Sequence, residues 1–487
     1  MAKAIMIQGT MSNVGKSYVT AGLLRVFMQD GLKAAPFKSQ NMALNSFVTN
    51  EGLEMGRAQV MQAEAAGIEP SADMNPILLK PTTDVGSQVI VNGKAIGNMR
   101  AVDYFKHKQS LIPQIMSAYN RLSEKYDVIV IEGAGSPAEI NLKKNDIVNM
   151  GMAQMAKSPV LLVGDIDRGG VFAQLTGTYM LLEENEKKYI KGFVMNKFRG
   201  DKMILEPGIK MLEDICPVPV TGVLPYTPLD IDDEDSLSDR LGKKQTDEKN
   251  IFICVIKLPR ISNFTDFNML DSVDGCEVRY VDNGKELWDA DCIIIPGTKN
   301  TIADMEWLKE RKLDRMIRLM NNEGCPVVGI CGGFQMLGRK ITDDMGVEGE
   351  IKNINGLGLI DAETEMQSEK TCINGSKTLD GISGLFSVLN GSMAKGYEIH
   401  AGVTKVGDKE IICSGKNNVF GTYLHGLFDK KEFLNKFLNV LSAETGKKIS
   451  ADFSYETVKE REYDKLADMV RENMDMQAVY RILGKGM

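Results

Sequence analysis

The first thirty residues constrain the fold more than any other part of the chain. An apolar run, Ala4–Ile7, passes directly into Gln8-Gly-Thr-Met-Ser-Asn-Val-Gly-Lys-Ser17 and then into a helical pattern over Tyr18–Gln29. A strand, a loop of small residues and a helix start in that order aim backbone N–H groups and the helix dipole at a phosphate. The unit works only at the C-terminal edge of a parallel sheet, so it commits the N-terminal part to an open α/β architecture. Gly9, Thr10, Asn13, Gly15, Lys16 and Ser17 are the expected nucleotide-binding residues, with Lys16 reaching the β/γ-phosphates and the Ser17 hydroxyl on Mg²⁺. The strict spacing of this loop would put its first glycine at Thr10; here the glycine is one residue earlier, at Gly9.

Downstream, short apolar runs alternate with amphipathic stretches, the signature of β-α units on a parallel sheet. Strands are expected at Ala34–Phe37, Val128–Ile131, Pro159–Val163, Gly192–Met195 and Val218–Val223. Between Leu229 and Asn250 the sequence turns charged and loses its periodicity, and the strand signal restarts at Ile251–Ile256, Glu277–Val281, Cys292–Ile295 and Pro326–Ile330. With 487 residues the chain exceeds a single core. The reading is a phosphate-loop α/β domain over residues 1–230, a linker over 231–250, and a second α/β domain over 251–487 closed or flanked by a C-terminal helical segment from about Leu434. A helical pattern runs from Ile302 to Asn321.

Charge excludes some functions. The balance 58 − 66 = −8 is spread along the chain and leaves no basic face for a nucleic-acid backbone. Apolar runs are a few residues long, against the roughly 20 needed to cross a bilayer, and nothing at the N-terminus reads as a signal peptide, so a cytoplasmic location is expected. The eight cysteines include no C-x-x-C pair, which argues against a zinc site or a disulfide framework.

Several strand ends carry chemistry. Asp127-Val-Ile-Val-Ile-Glu132 delivers Glu132 to the ligand-binding edge, where it is the expected acidic residue on Mg²⁺. Asp165 and Asp167, beside Arg168, end another strand and could serve metal, phosphate or an acyl phosphate; the alternative is a pair of loop carboxylates bridged to Arg168. Asn196, in Asn-Lys-Phe-Arg-Gly-Asp201, is placed to read an adenine edge.

In the second half, Val327-Val-Gly-Ile-Cys331-Gly-Gly333 joins a strand to a helix through a cysteine among glycines. Small residues there permit the strained turn that exposes a nucleophile, and a helix N-terminus favours its thiolate. A thiol nucleophile needs a base, and of the three histidines only His400 and His425 lie in this domain. His425, at the end of an apolar strand and next to Gly426, is favoured over His400; His107 reads as a solvated surface residue. The turn containing Gly297, with the N–H of Gly332, could form an oxyanion hole.

These motifs, in this order, resemble those of the cobyric acid synthase family. The resemblance rests on the phosphate loop, Pro36-Phe-Lys-Ser-Gln-Asn-Met42, Asn75-Pro-Ile-Leu-Leu-Lys-Pro81, Glu132-Gly-Ala-Gly-Ser-Pro137, Asp165-Ile-Asp-Arg-Gly-Gly170 and Asn196-Lys-Phe-Arg-Gly-Asp201. It continues through Pro296-Gly-Thr-Lys-Asn-Thr301, Cys331-Gly-Gly-Phe-Gln-Met-Leu-Gly338, Gly396-Tyr-Glu-Ile-His400 and Tyr423-Leu-His-Gly-Leu-Phe428, and so covers essentially the whole chain. It implies a dethiobiotin synthetase-like P-loop domain joined to a class I glutamine amidotransferase domain. It further implies ATP- and glutamine-dependent amidation of the b, d, e and g carboxylates of adenosylcobyrinic acid a,c-diamide, with L-glutamine or ammonia as the nitrogen source.

By motif position, Lys38, Gln40, Asn41 and Asn45 fall in the phosphate or corrinoid cleft, together with Asp165 and Asp167. One departure stands out: the wider amidotransferase class has a glutamate two residues after the catalytic histidine, where this chain has Leu427. The neighbouring alternatives are cobyrinic acid a,c-diamide synthase and a P-loop ATPase with a binding-only amidotransferase-like domain.

Overall fold

The computed structural model describes residues 2–83, 86–229, 231, 250–449 and 455–484. Of the expected linker over 231–250, all but its two end residues lie outside the described residues. The N-terminal sheet is six-stranded and wholly parallel, in the order Val220–Pro225, Ile190–Phe198, Val160–Asp165, Lys3–Gly9, Val128–Glu132, Ala34–Phe37. The first strand sits between the third and fourth in chain order, so the chain reverses its direction of winding there. The loop leaving Gly9 therefore opens into the crevice that such sheets use for ligands.

The second domain holds a six-stranded sheet in the order Cys276–Val281, Ile251–Ile256, Cys292–Ile295, Val327–Ile330, Val419–Thr422, Cys413–Lys416, the last strand antiparallel. Its central strands are apolar on both faces and fully buried, as a sheet covered by helices requires. Both domains have the architecture expected from the sequence.

Three features differ from the sequence reading. The helical pattern from Ile302 to Asn321 is broken at Lys312, which adopts φ 60°, giving helices Thr301–Glu310 and Leu313–Asn322. The meander Ile77–Thr83, Gly86–Val91, Lys94–Arg100 and the long hairpin Glu363–Thr378 with Met393–Val406 are additional.

The third difference concerns the C-terminal helices, which divide between the domains. Helix Lys431–Thr445 buries Phe433, Leu434, Phe437, Leu438 and Leu441 in the second-domain core. Helix Tyr455–Asn473 instead covers helix Lys16–Gln29 of the first domain, where Ala467 and Val470 pack among Leu23, Leu24 and Phe27. The approach is close: a Cβ on Gly22 would lie 2.6 Å from Val470 Cγ2, and one on Gly222 would lie 2.7 Å from Met474 Cγ. Arg25 adds ion pairs to Glu460 at 2.7 Å and Asp464 at 2.8 Å. Helical periodicity marks the apolar face of this segment but not the sheet it covers, which is why the expectation of a flank on the second domain fails.

No helix among the described residues is long and apolar enough to cross a membrane. All eight cysteines are free thiols, seven of them buried. His107 is exposed, as expected.

Candidate functional site

At the phosphate loop, Gly15 caps helix Lys16–Gln29 at φ 93°, and Asn13 is also left-handed at φ 60°. The backbone thus turns inward and exposes the N–H groups of the first helical turn. Gly9 is needed for packing, since a Cβ there would sit 2.6 Å from Val14 Cγ2. Lys16 Nζ folds back over the loop, donating to the carbonyls of Met11 at 3.1 Å and Gly135 at 3.2 Å.

Asn196 lies against the same loop, its Nδ2 donating to the Val14 carbonyl at 2.8 Å. Lys197 Nζ donates to the Asn13 carbonyl at 2.6 Å and pairs with Asp165 at 3.0 Å. Asp167 pairs with Arg199 at 2.9 Å. The two carboxylates therefore answer to the 196–201 motif rather than to Arg168, and they brace the nucleotide loop. Thr10 Oγ1 donates to Gln174 Oε1 at 3.1 Å.

Glu132 is the hub of the site and is 1 % exposed. Its Oε1 accepts from Ser17 Oγ at 3.0 Å and pairs with Lys38 Nζ at 2.8 Å, while its Oε2 accepts from Gln62 Nε2. Nearby, Gln8 Oε1, Gln62 Oε1 and Asn149 Oδ1 are buried with no hydrogen-bond partner among the described residues. One carboxylate, one hydroxyl and buried amide oxygens are hard donors that suit Mg²⁺ completed by nucleotide phosphate and water. Among the described residues no group of three His, Cys, Asp or Glu side chains forms an all-protein cage. The residues fit the cation as a partner of bound nucleotide.

Of the expected substrate residues, Gln40 accepts from the Tyr104 hydroxyl at 2.6 Å, and Asn41 Nδ2 donates to Gln59 Oε1 at 3.2 Å. Asn45 lies elsewhere. Its Oδ1 accepts from the Phe264 N–H at 3.3 Å, across the junction with the second domain.

In the second domain, Cys331 ends strand Val327–Ile330 at φ 51°, ψ −107°, and helix Gly332–Leu337 begins at the next residue. This strained backbone is possible because its neighbours are glycine: a Cβ on Gly333 would lie 1.9 Å from the Ile295 carbonyl, and one on Gly329 would lie 2.6 Å from that of Gly333. Strand Val419–Thr422 pairs in parallel with Val327–Ile330 and carries His425 to the same edge. The imidazole hydrogen-bonds Cys331 on one side, and on the other its Nδ1 lies 2.6 Å from Asp266 Oδ2. Burial disfavours the imidazolium, but the Asp266 carboxylate and then Cys331 outweigh it and raise His425 to about 10.

A Cβ on Gly297 would lie 3.2 Å from His425 Cε1, and one on Gly332 would lie 3.2 Å from the Thr298 nitrogen. Both expected oxyanion-hole loops therefore border the cysteine–histidine pair. His400 is held away from that role: its Nδ1 is 2.7 Å from the Gly402 carbonyl, and its ring stacks on Tyr423 at 3.7 Å.

Comparison with known proteins agrees with this two-site construction. Residues 5–238 match the CobQ/CobB/MinD/ParA nucleotide binding domain, and residues 252–433 match the CobB/CobQ-like glutamine amidotransferase domain. The chain is 52 % identical to the cobyric acid synthase of Lachnoclostridium phytofermentans, with all of both chains covered. It is 52 % identical to that of Ruminiclostridium cellulolyticum, covering 100 % of this chain and 98 % of the relative. The chain belongs to the cobyric acid synthase family. It is thus a glutamine-hydrolysing carbon–nitrogen ligase of cobalamin biosynthesis with a P-loop ATP-binding domain.

Within this cobyric acid synthase framework, the functional residue that sequence reasoning missed is Asp266. It stands in the turn Phe264–Phe267, next to Asn263 at φ 53°. Besides His425 it accepts from the Gly426 N–H at 3.1 Å, so both of its oxygens hold the histidine segment. The position two residues after His425, where an orienting carboxylate was missing, is supplied in space from another loop. The αL asparagine before an acidic turn was the only local signal, and nothing in it points to His425.

Proposed function

We propose that the N-terminal domain phosphorylates the b, d, e and g carboxylates of adenosylcobyrinic acid a,c-diamide and that the C-terminal domain supplies ammonia to them from L-glutamine. The observation that carries this reading is the pairing, in one chain, of a cysteine–histidine–aspartate arrangement with a phosphate loop that bears Lys16 and whose Ser17 meets Glu132.

Lys16 and the N–H groups after Gly15 hold the ATP phosphates, with Gly9, Thr10 and Asn13 shaping the loop. Asn196, anchored through its nitrogen on Val14, offers its amide oxygen to the base. Ser17 and Glu132 would hold Mg²⁺, which would supply positive charge to offset that of the nucleotide phosphates. A substrate carboxylate oxygen attacks the γ-phosphorus, the bond to the β-γ bridging oxygen breaks, and ADP leaves an acyl phosphate. Lys38 stabilises charge at that centre, Gln40 and Asn41 line the approach, and Asp165 and Asp167 keep the loop in register.

In the second domain the Cys331 thiolate attacks the glutamine carboxamide carbon, and the N–H groups of Gly332 and Gly297 receive the oxyanion. His425 gives its proton to the departing nitrogen, releasing ammonia, and water then frees glutamate from the thioester. Ammonia attacks the acyl phosphate, giving the amide and inorganic phosphate. The deciding experiment is mass spectrometry of the corrinoid after incubation with Mg-ATP and glutamine, with Cys331→Ala run on glutamine or ammonium. Successive carboxylate-to-amide shifts, lost in the variant on glutamine and restored on ammonium, are expected; an unchanged corrinoid beside active ATP hydrolysis would remove the substrate assignment.

A further inference from the structure

The segment from Lys38 to Gln62 touches both reaction centres. Its two ends, Lys38 and Gln62, are partners of Glu132 in the nucleotide site. Between them the segment crosses to the second domain, where Glu54 pairs with Lys370, the Val48 carbonyl accepts from Asn374, and Asn45 and Ser46 meet the residues that carry His425. Asn45 Oδ1 accepts from the Phe264 N–H at 3.3 Å, the first residue of the turn that holds Asp266. The Ser46 carbonyl accepts from Asn263 Nδ2 at 2.9 Å and from the Tyr397 hydroxyl at 3.1 Å, and Asn263 also donates to that hydroxyl at 2.7 Å. Asn263 in turn accepts from the Asp266 N–H at 3.0 Å through its carbonyl. Tyr397 exchanges backbone hydrogen bonds with His425, at 2.9 Å and 3.2 Å, and stacks on its ring with centroids 5.3 Å apart.

The two residues that fix the imidazole, Asp266 by hydrogen bond and Tyr397 by stacking, are therefore both tied to consecutive residues of the other domain. Asn45 is 2 % exposed, and its side-chain oxygen is committed to this junction. The segment is short and internally braced: the Arg57 N–H donates to the Asn45 carbonyl at 3.2 Å, and helix Arg57–Ala65 runs from that point back to Gln62. A ligand that draws Glu132 away from Lys38 and Gln62 acts on both ends of the segment, and the middle transmits the change to the Asp266 turn. Coupling of this kind needs contacts that differ between two states, and the Glu132 partners supply them.

We propose that Asn45 is a positioning residue for glutamine hydrolysis, holding the Asp266 turn in register from the synthetase domain so that the state of the nucleotide site governs attack by Cys331. This goes beyond the proposed function, on which it rests for the identity of the two half-reactions, and it reassigns a residue expected in the substrate cleft.

The test compares nitrogen donors in Asn45→Ala and Asn45→Asp, with Mg-ATP and the corrinoid at saturation. Removing the acceptor is expected to lower kcat on glutamine about tenfold, the effect of about 1.4 kcal/mol, while amidation on ammonium stays at the wild-type rate. Asn45→Asp, which keeps an acceptor for the Phe264 N–H, should regain most of the glutamine rate. Should Asn45→Ala fail to fold, Tyr397→Phe breaks the link to Ser46 from the other domain and is expected to show the same split between donors. A parallel fall on both donors with a raised KM for the corrinoid would make Asn45 a substrate contact and overturn the proposal, as would an unchanged glutamine rate in Asn45→Ala or, where that variant does not fold, in Tyr397→Phe. If the wild-type protein amidates no corrinoid, the substrate reading fails on its own, and glutamate release with and without Mg-ATP still decides the role of Asn45.

Discussion

Asp266 Oδ2 lies 2.6 Å from His425 Nδ1 although 159 residues separate them. The pair is buried, with side chains 6 % and 1 % exposed, so the carboxylate acts on the imidazole with little screening by water. It fixes the tautomer, turns the other ring nitrogen toward Cys331 and favours the charged ring. A histidine held as imidazolium has a proton ready for the leaving nitrogen.

Asp266→Asn should therefore lower kcat on glutamine by about 10²-fold or more, within the range of positioned acid–base groups, while amidation on ammonium persists. The pH dependence gives a second check. The folded pKa of His425, about 10, lies above the ordinary value of about 6.5. Its charged form thus contributes stability that is full below about 6.5 and is lost as pH rises through about 10. The alkaline limb of glutaminase activity should follow that upper value in the wild type and move toward neutrality in Asp266→Asn. A limb that does not move would show that Asp266 leaves the proton affinity of His425 untouched.

Glu132 is expected to matter directly to the nucleotide half-reaction and, through Lys38 and Gln62, to its coupling with glutamine hydrolysis. Glu132→Gln removes the carboxylate from Ser17 and from the buried Lys38, which pairs with it at 2.8 Å. Amidation should fall on both glutamine and ammonium by about 10²-fold, a loss of roughly 2.7 kcal/mol of transition-state stabilisation. Titration calorimetry should find that Mg²⁺ no longer strengthens ATP binding. Retention of full amidation with ammonium would remove Glu132 from the nucleotide chemistry.

A second buried charge cluster holds the domain junction. Glu54, with its side chain 2 % exposed, pairs with Lys80 at 2.8 Å in its own domain and with Lys370 at 2.6 Å in the other. Burial alone would raise the carboxyl, but Lys370 and Lys80 outweigh it and hold Glu54 well below the usual carboxylate range. That contribution is present above the unfolded value of about 4.3 and is lost as pH falls through the depressed folded one, so the junction should open only in strong acid. Glu54→Gln leaves two lysines facing each other and should destabilise by about 3 kcal/mol, measurable by urea unfolding. A change below about 0.5 kcal/mol would place the pair in the class of weak surface bridges.

The parts of this molecule that were legible in the sequence are those in which one short stretch determines its own geometry. The loop from Gly9 to Ser17 and the glycines around Cys331 each combine a strand, a turn and a helix start within a few residues, the strand ending at Glu132 is a single apolar run, and all three fold as read. Asp266, the junction role of Asn45 and the partners of Asp165 and Asp167 were not legible. Each depends on which distant loops the two sheets bring together, and no periodicity records that. Asn45 sits in the same run as Lys38 and Gln40, yet its side chain turns to the other domain while theirs face the first. Gly396–His400 alternates as a strand should and lies in strand Met393–Val406, but its hairpin partner Glu363–Thr378 escaped because much of it is polar and exposed, without the apolar alternation of a half-buried strand.

The C-terminal helix provides the last test, because its packing partner is the helix that begins at Lys16. Leu466 is fully buried in a cluster with Ala21, Met61 and Tyr463, and its Cγ would lie 3.2 Å from a Cβ on Gly22. Leu466→Ala leaves a cavity between the two helices and should cost about 2–5 kcal/mol. The loss should be local, since the second-domain core contains neither helix. Hydrogen exchange is therefore expected to quicken across Lys16–Gln29 and leave Lys431–Thr445 unchanged. The KM for ATP should rise, because the N–H groups that receive phosphate belong to the loosened helix, while basal glutamine hydrolysis is retained. Faster exchange confined to Lys431–Thr445 would mean that the segment stabilises the amidotransferase domain after all.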